Sequence, residues 1–116
     1  MLKAGGNAVD AAVATGFTSA VVDPASNGIA GFGANLVIYQ ASRRRVIAVD
    51  SNTVAPEKAS EEMFEIVRAK NAAGYRVLGQ VNVFGPRSVG VPGVVAGLCL
   101  TLRRYGTMSL HDVLQP

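Results

Sequence analysis

Few side chains in this 116-residue sequence could perform chemistry unaided. The sequence holds one cysteine, Cys99, and one histidine, His111, and the two fall in different predicted segments. A reactive thiol needs a neighbouring base, and a serine hydrolase needs a nucleophile turn such as Gly-x-Ser-x-Gly, which is absent. A lone cysteine also excludes an internal disulfide and a cysteine-based zinc site. We therefore predict no catalytic residue and no metal site within this chain.

The acidic residues do not form a pair spaced for general acid–base catalysis. Asp10 lies in the first turn of a predicted helix, Asp23 precedes a proline, and Asp50 ends a predicted strand. Each of these positions has a structural explanation. Taken alone, the residues indicate a piece of a folded α+β protein without chemistry of its own.

A glycine-rich segment, Gly31-Phe32-Gly33, invites comparison with phosphate-binding loops. A dinucleotide-binding loop follows a strand and opens a helix, whereas this segment follows a predicted helix and precedes a strand. The Gly-Lys-Ser/Thr sequence of a P-loop is also missing. The segment is better explained as a tight turn that lets two backbones approach closely, and no cofactor is expected.

The composition is typical of a folded protein and argues against two classes of partner. Hydrophobic residues make up 49% of the sequence and charged residues 16%, with a net charge of +3. The arginines at 43–45 and 103–104 lack the interleaved aromatic residues of a nucleic-acid-binding face. The longest apolar stretch, residues 8–22, is interrupted by polar residues and too short to span a bilayer. We predict neither a nucleic-acid partner nor a membrane partner.

The elements that would position any site begin with a helix. Asn7 is a favourable N-cap, Asp10 adds negative charge to the first turn, and Asp23 before a proline should end the helix. An apolar stripe recurs along this helix every four residues, at Val9, Val13, Phe17 and Val21. The other faces of the helix are rich in alanine, so we expect the helix to be buried between two layers.

A β-hairpin and further helices are predicted to follow. The hairpin strands cover residues 36–40 and 46–50. Ser60 should open a short helix carrying Met63, Phe64, Ile66 and Val67, and residues 71–80 should be irregular. A helix over 94–105 should stop at a left-handed Gly106, with a last helix starting at Thr107 or Ser109.

Two strands form at best a marginal sheet in water, so the hairpin needs strands from elsewhere. We therefore expect residues 1–116 to be a single incomplete domain, cut at both ends.

Three stretches of this sequence resemble the γ-glutamyltransferase family. They are residues 2–14 (LKAGGNAVDAAVA), residues 27–37 (NGIAGFGANLV) with 48–50 and 55–56, and residues 88–98 (SVGVPGVVAGL) with 105–108. Their order and spacing are similar to the family over nearly the whole chain. The resemblance identifies the chain as the N-terminal part of the family's large subunit.

The resemblance implies an N-terminal-nucleophile hydrolase fold, an αββα sandwich. Family members are made as one precursor that cuts itself into a large and a small subunit. The new N-terminal threonine of the small subunit is the nucleophile, and its free amine is the base. By this resemblance the partners of this chain are the small-subunit region of its own precursor and a small-molecule amide substrate.

The resemblance also places one substrate-binding position within this chain. Family transferases carry Asp-x-Arg-Glu-x-Ala-Pro, in which the arginine holds the α-carboxylate of the γ-glutamyl group. Residues 50–56 read DSNTVAP, so Asn52 replaces the arginine and Thr53 the glutamate. Either the protein acts on other amides, which we favour, or its carboxylate grip comes from elsewhere. A second departure is Phe32, which adds bulk where the family has a run of glycines.

Two functions remain open. The chain is part of a γ-glutamyltransferase-like amidohydrolase or acyltransferase that is inactive without its remainder, or it is a non-catalytic fragment that associates with itself or with a partner. Family members of the two kinds are periplasmic or cytoplasmic, so the location is left open between these compartments.

Overall fold

The computed structural model describes residues 1–67 and 76–115. Its contacts group the chain into two compact units, Met1–Thr53 with Pro92–Pro116, and Val54–Val91. The helices and strands are α1 (Ala8–Val22), β1 (Asn35–Gln40), β2 (Arg45–Asp50), β3 (Ile66–Val67), β4 (Arg76–Val77), α2 (Val94–Tyr105) and α3 (Leu110–Leu114). This mixture of helices and antiparallel strands confirms the α+β class. That residues 1–116 form one incomplete domain stays a prediction.

Helix α1 starts and ends where the sequence predicts. The Asn7 side chain accepts hydrogen bonds from the N–H groups of Val9 (2.7 Å) and Asp10 (3.1 Å), and Asp23 is the C-cap residue. These bonds satisfy N–H groups that have no partner within the helix. The apolar stripe is only partly buried, since Val13 is fully buried but Val21 is 80% exposed. The predicted burial between two layers is therefore not reached in the described part of the chain.

The hairpin of β1 and β2 is confirmed, one residue longer at the start of each strand than predicted. Its register pairs Asn35 with Asp50 and Gln40 with Arg45. Alternate residues of β1 differ in burial, because successive side chains point to opposite faces. Leu36 packs against the core formed by the helices. The opposite face is apolar and exposed, at Val37, Tyr39, Val46 and Ala48.

Helix α2 supplies most of the core. Val94, Leu98 and Leu102 follow one face at helical spacing and are buried with Val13 of α1 and Val113 of α3. Helix α3 begins at the N-cap Ser109, one of the two predicted starts, whose hydroxyl oxygen accepts a 3.1 Å hydrogen bond from the backbone N–H of Asp112.

The predicted left-handed stop of α2 at Gly106 is wrong. Gly106 has φ −77° and ψ 170°, which is extended backbone that any residue adopts. Glycine is needed there for space, because a Cβ would lie 2.5 Å from Asp10 Oδ1 and 2.7 Å from Leu102 Cδ1. After α2 the chain passes close to Asp10 of α1. This close approach, and not a left-handed backbone conformation, explains why position 106 is glycine.

The predicted helix after Ser60 is also wrong. Ile66 and Val67 form β3, which pairs antiparallel with β4, Ile66 opposite Val77. Both are β-branched side chains, which favour strands. At Ser60 the described residues form a single turn, in which the Met63 N–H donates to the Ser60 carbonyl at 3.2 Å. Of the predicted irregular segment 71–80, residues 71–75 lie outside the described residues, and Arg76–Val77 is β4.

Single turns of 3-10 helix precede α1 at Leu2–Ala4, join β1 to β2 at Ala41–Arg43 and lie at Pro86–Ser88. Among the described residues, no helix is long and apolar enough to cross a membrane. In the same residues, no group of three histidine, cysteine or acidic side chains could hold a metal ion.

Candidate functional site

Asn52, the one predicted substrate-binding residue, is exposed in the turn that leaves β2. Its backbone N–H donates a 2.9 Å hydrogen bond to Asp50 Oδ1, the side-chain turn that aspartate commonly forms two residues ahead. Its side-chain Nδ2 donates to Asn35 Oδ1 at 3.5 Å, a long and weak contact. The backbone of Asn52 is thus held while its amide group remains available to a ligand.

Ser51 anchors this turn to the start of the first strand. It is buried, and both its backbone N–H (3.0 Å) and its hydroxyl (2.6 Å) donate to the carbonyl oxygen of Ala34. A buried hydroxyl with a partner avoids the cost of an unpaired polar group. Sequence reasoning missed Ser51, since an isolated serine after a strand carries no signal of its own.

The N-terminal end of α2 packs against the same turn through two glycines, Gly93 and Gly97, which have no side chain. A Cβ at Gly93 would lie 2.5 Å from the carbonyl oxygen of Ser51 and 2.7 Å from that of Asn52. A Cβ at Gly97 would overlap Ser51 Cβ and lie 2.7 Å from its Oγ. These distances are far below ordinary contact, so both glycines are required for α2 to sit where it does. The partial positive charge of the helix end therefore faces the Ser51–Asn52 turn.

The glycine-rich segment runs along the other side of the turn. The Thr53 N–H donates to the Phe32 carbonyl at 3.1 Å, and the Thr53 hydroxyl donates to the Gly31 carbonyl at 2.8 Å. Gly33 has φ 133°, and a Cβ there would overlap Asn52. The predicted close backbone approach is confirmed. The structure also brings together Phe32 and Asn52–Thr53, the two places where the sequence departs from the γ-glutamyltransferase pattern.

The polar groups of this site are an amide, hydroxyls and a carboxylate. Asn52, Ser51, Thr53 and Asp50 supply them, and in the described ranges no cationic side chain takes part in their hydrogen bonds. The protons of both hydroxyls are already donated to backbone carbonyls, so the Asn52 amide is the group of this set that can donate to a carbonyl of a ligand, and it can also accept from an amine. It does not neutralise the charge of a carboxylate as a guanidinium does.

The remaining reactive side chains lie outside this hydrogen-bonded set. Cys99 is a free, half-buried thiol in α2, and His111 is exposed on α3. Neither appears in a side-chain hydrogen bond with Asn52 or Thr53.

Sequence reasoning also missed the role of Asp10, which is completely buried at the start of α1. Burial alone raises the pKa of this carboxyl, but hydrogen bonds from the Thr107 hydroxyl and from the N–H groups of Asn7, Met108 and Thr107 outweigh it and lower the pKa to about 2. Asp10 joins α1 to the α2–α3 connection and has a structural role.

The whole chain, residues 1–116, matches the family model described as Gamma-glutamyltranspeptidase. Among curated proteins it is 39% identical to the acylase ACY 1 proenzyme of Pseudomonas sp. strain SE83, covering 100% of this chain and 20% of that protein. It is 37% identical to the glutathione hydrolase proenzyme of Escherichia coli strain K12, covering 100% of this chain and 19% of that protein.

A solved structure has a similar backbone. The gamma-glutamyltranspeptidase of Helicobacter pylori superposes with a TM-score of 0.79 at 41% identity, over 97% of this chain and 30% of that one. This likeness supports the N-terminal-nucleophile hydrolase fold. The chain spans about a fifth of the length of the curated relatives it matches.

Proposed function

Because this chain belongs to the gamma-glutamyltranspeptidase family, we propose that it is the N-terminal part of the large subunit of an amidohydrolase or acyltransferase. In the complete protein the enzyme cleaves γ-glutamyl or related amide bonds. An N-terminal threonine of the small-subunit region acts as nucleophile, with its own amine as base. This chain contributes part of the binding site for the acyl group and is inactive alone.

The match to the family over residues 1–116 is the observation that carries this proposal. The geometry of the Asn52 turn supports the same assignment. Three contacts fix the turn. The Asp50 carboxylate accepts the Asn52 N–H, the Ser51 hydroxyl donates to the Ala34 carbonyl, and Gly93, the N-cap of α2, packs against the turn. A backbone held this firmly suits substrate positioning, since it limits the positions that the Asn52 side chain can take and so lowers the entropic cost of reaching a reactive geometry.

The preferred substrates are amides whose acyl group lacks the α-carboxylate of glutamate. Asn52 can donate a hydrogen bond to a carboxylate but leaves its negative charge uncompensated in the site. An uncharged acyl group does not require that compensation. A relative at 39% identity is named an acylase, which accords with cleavage of an amide bond to an acyl group.

Hydrolysis of three matched p-nitroanilides by the complete, processed protein tests this proposal. The γ-glutamyl, 4-aminobutyryl and butyryl anilides share a four-carbon acyl backbone, the second lacking only the α-carboxylate and the third also the amine. We expect kcat/KM for the two anilides without the carboxylate to exceed that for the γ-glutamyl anilide by about tenfold or more, the scale of one uncompensated charge contact.

The isolated 116-residue chain is the control in the same assay, and it should release no nitroaniline. A preference of the complete protein for the γ-glutamyl anilide would refute the substrate assignment. Absence of both hydrolysis and self-cleavage in the complete protein would favour the non-catalytic alternative. The exposed apolar hairpin face at Val37, Tyr39 and Val46 supports that alternative through self-association, which light scattering of the isolated chain would detect as oligomers.

A further inference from the structure

Phe32 is the most exposed large hydrophobic residue among the described residues, with 97% of its surface in contact with solvent. The turn itself does not require an aromatic ring at this position. Its close approaches are made by the neighbouring glycines, Gly31 through its carbonyl and Gly33 through its bare backbone. The ring therefore contributes almost nothing to the packing of the part of the chain that the structure describes.

The backbone that carries the ring is nevertheless fixed at the candidate site. The Phe32 carbonyl accepts the Thr53 N–H at 3.1 Å, one residue beyond Asn52. On the other side, Gly33 packs so closely on Asn52 that no Cβ fits between them. The ring is thus exposed, and the backbone that carries it is fixed next to Asn52 by the Phe32–Thr53 hydrogen bond and by the Gly33 contact.

We propose that Phe32 is a specificity-determining residue that forms an apolar wall of the acyl-binding site, selecting amides whose acyl group carries an aromatic or other apolar portion. The inference rests on the proposed function, because it places the acyl group of the substrate at Asn52. An acyl chain lying across the ring removes apolar surface of both partners from water, and an aromatic acyl group adds favourable offset or edge-to-face ring contacts. Asn52 then hydrogen-bonds a polar atom of the same substrate without adding charge.

The competing occupant of this surface is another part of the complete protein. In that case the ring is a packing residue, and its removal lowers stability and affects all substrates alike. Selection of the acyl group and internal packing therefore differ in two measurable quantities, the dependence on acyl size and the melting temperature.

The test compares Phe32→Gly with the wild type in the complete, processed protein, using phenylacetyl and acetyl p-nitroanilides. We expect Phe32→Gly to lower kcat/KM for the phenylacetyl anilide by about tenfold, mainly through KM, the scale of a lost aromatic contact. The kcat/KM for the acetyl anilide should change by less than about twofold, because an acetyl group is too short to bury apolar surface against the ring. The melting temperature should be unchanged. Phe32→Leu, which keeps an apolar side chain, should retain part of the phenylacetyl activity.

Phe84→Gly is the matched control, since Phe84 is also exposed, at 69%, and belongs to the other compact unit. It should leave the ratio of the two rates unchanged. Equal loss on both anilides, or a lower melting temperature for Phe32→Gly, would assign the ring to packing and overturn the inference. Normal hydrolysis with no change in the ratio would overturn the inference alone. No hydrolysis of any acyl anilide by the wild type would overturn the proposed function and, with it, this inference.

Discussion

Asp10 carries the largest concentration of hydrogen bonds on one side chain in the described part of the chain. Its Oδ1 accepts from the N–H groups of Thr107 (2.9 Å) and Met108 (3.1 Å), and its Oδ2 accepts from the Asn7 N–H (2.7 Å) and the Thr107 hydroxyl (2.7 Å). The Asn7 amide in turn donates to the Tyr105 carbonyl at 2.8 Å. A carboxylate that accepts several N–H groups remains ionised even when buried.

The isosteric change Asp10→Asn should destabilise this connection, because an amide nitrogen cannot accept the Asn7 N–H. We expect a loss of about 1–3 kcal/mol of stability, the cost of a buried donor without a partner, and faster hydrogen exchange at the Asn7 N–H in the complete protein. Asp112→Asn is the control, since Asp112 holds the equivalent position in α3 but is exposed. Unchanged exchange at Asn7 in Asp10→Asn would contradict this role.

The pH dependence of the same contact follows from its lowered pKa. The folded pKa of Asp10 is about 2, against an ordinary value of 3.8. Its contribution to stability is therefore complete above pH 3.8 and is lost as the pH falls from there toward 2. In Asp10→Asn this part of the acid unfolding profile should disappear, whereas the profile above pH 5 should keep its shape.

The sequence allowed Asn52 and Phe32 to be singled out, because each departs from a recognisable pattern. Their adjacency was not predictable, since it depends on Thr53 bonding to a loop about twenty residues earlier in the chain. The hydrogen bonds that Asp10 forms with distant residues were not predictable for a similar reason. Its local role as an acidic residue in a first helical turn was clear, but its partners lie 97 and 98 residues away.

At the scale of elements, the site depends on how closely α2 approaches the end of β2. Two glycines one helical turn apart, Gly93 and Gly97, let the helix rest directly on Ser51 and Asn52. Gly16 in α1 has a less crowded environment, because a Cβ there would meet side-chain atoms of Leu98 at 3.3 Å rather than overlap a neighbouring residue. Alanine is therefore expected to be tolerated far better at position 16 than at position 97.

We expect Gly97→Ala to displace Ser51, lower the stability of the complete protein by about 1–3 kcal/mol through overpacking, and raise KM for the acyl anilides by moving Asn52. Gly16→Ala is the matched control and should be neutral or stabilising by up to about 1 kcal/mol, the gain in helix propensity. Thermal unfolding and steady-state kinetics of the two variants measure both effects. Equal behaviour of the two variants would show that the approach of α2 does not hold the site.

Most elements were predictable because their signals are local. The cap at Asn7, the alternation in the hairpin and the apolar face of α2 all specify their own structure. The prediction of a helix after Ser60 was wrong because its polar first residues resemble a helix cap. The two β-branched residues that follow, Ile66 and Val67, pair instead with Val77 and Arg76 on the neighbouring strand. Such pairing is not visible in the segment itself.

At the scale of the molecule, one face of the hairpin leaves large apolar side chains exposed. The hairpin has only two strands, and one of its faces leaves Val37 74% and Val46 66% exposed. A two-stranded sheet needs further strands or packing partners for stability. The relatives it matches are about five times longer, which accords with the proposal that residues of the same precursor complete this unit.

The central proposal is that Asn52 gives a protein of the γ-glutamyltranspeptidase family a specificity for amides other than γ-glutamyl amides. Introducing Asn52→Arg into the complete, processed protein is its most direct test. Arginine restores a planar, charged donor pair that binds a carboxylate through two hydrogen bonds. Asn52→Gln and Asn35→Arg are the controls, the first keeping a neutral amide and the second placing the charge on a neighbouring residue. We expect kcat/KM for γ-glutamyl p-nitroanilide to rise by about tenfold or more in Asn52→Arg alone, while that for the butyryl anilide falls or stays constant. No gain on the γ-glutamyl anilide, or an equal gain in Asn35→Arg, would contradict the assignment of Asn52 as the residue that sets the substrate.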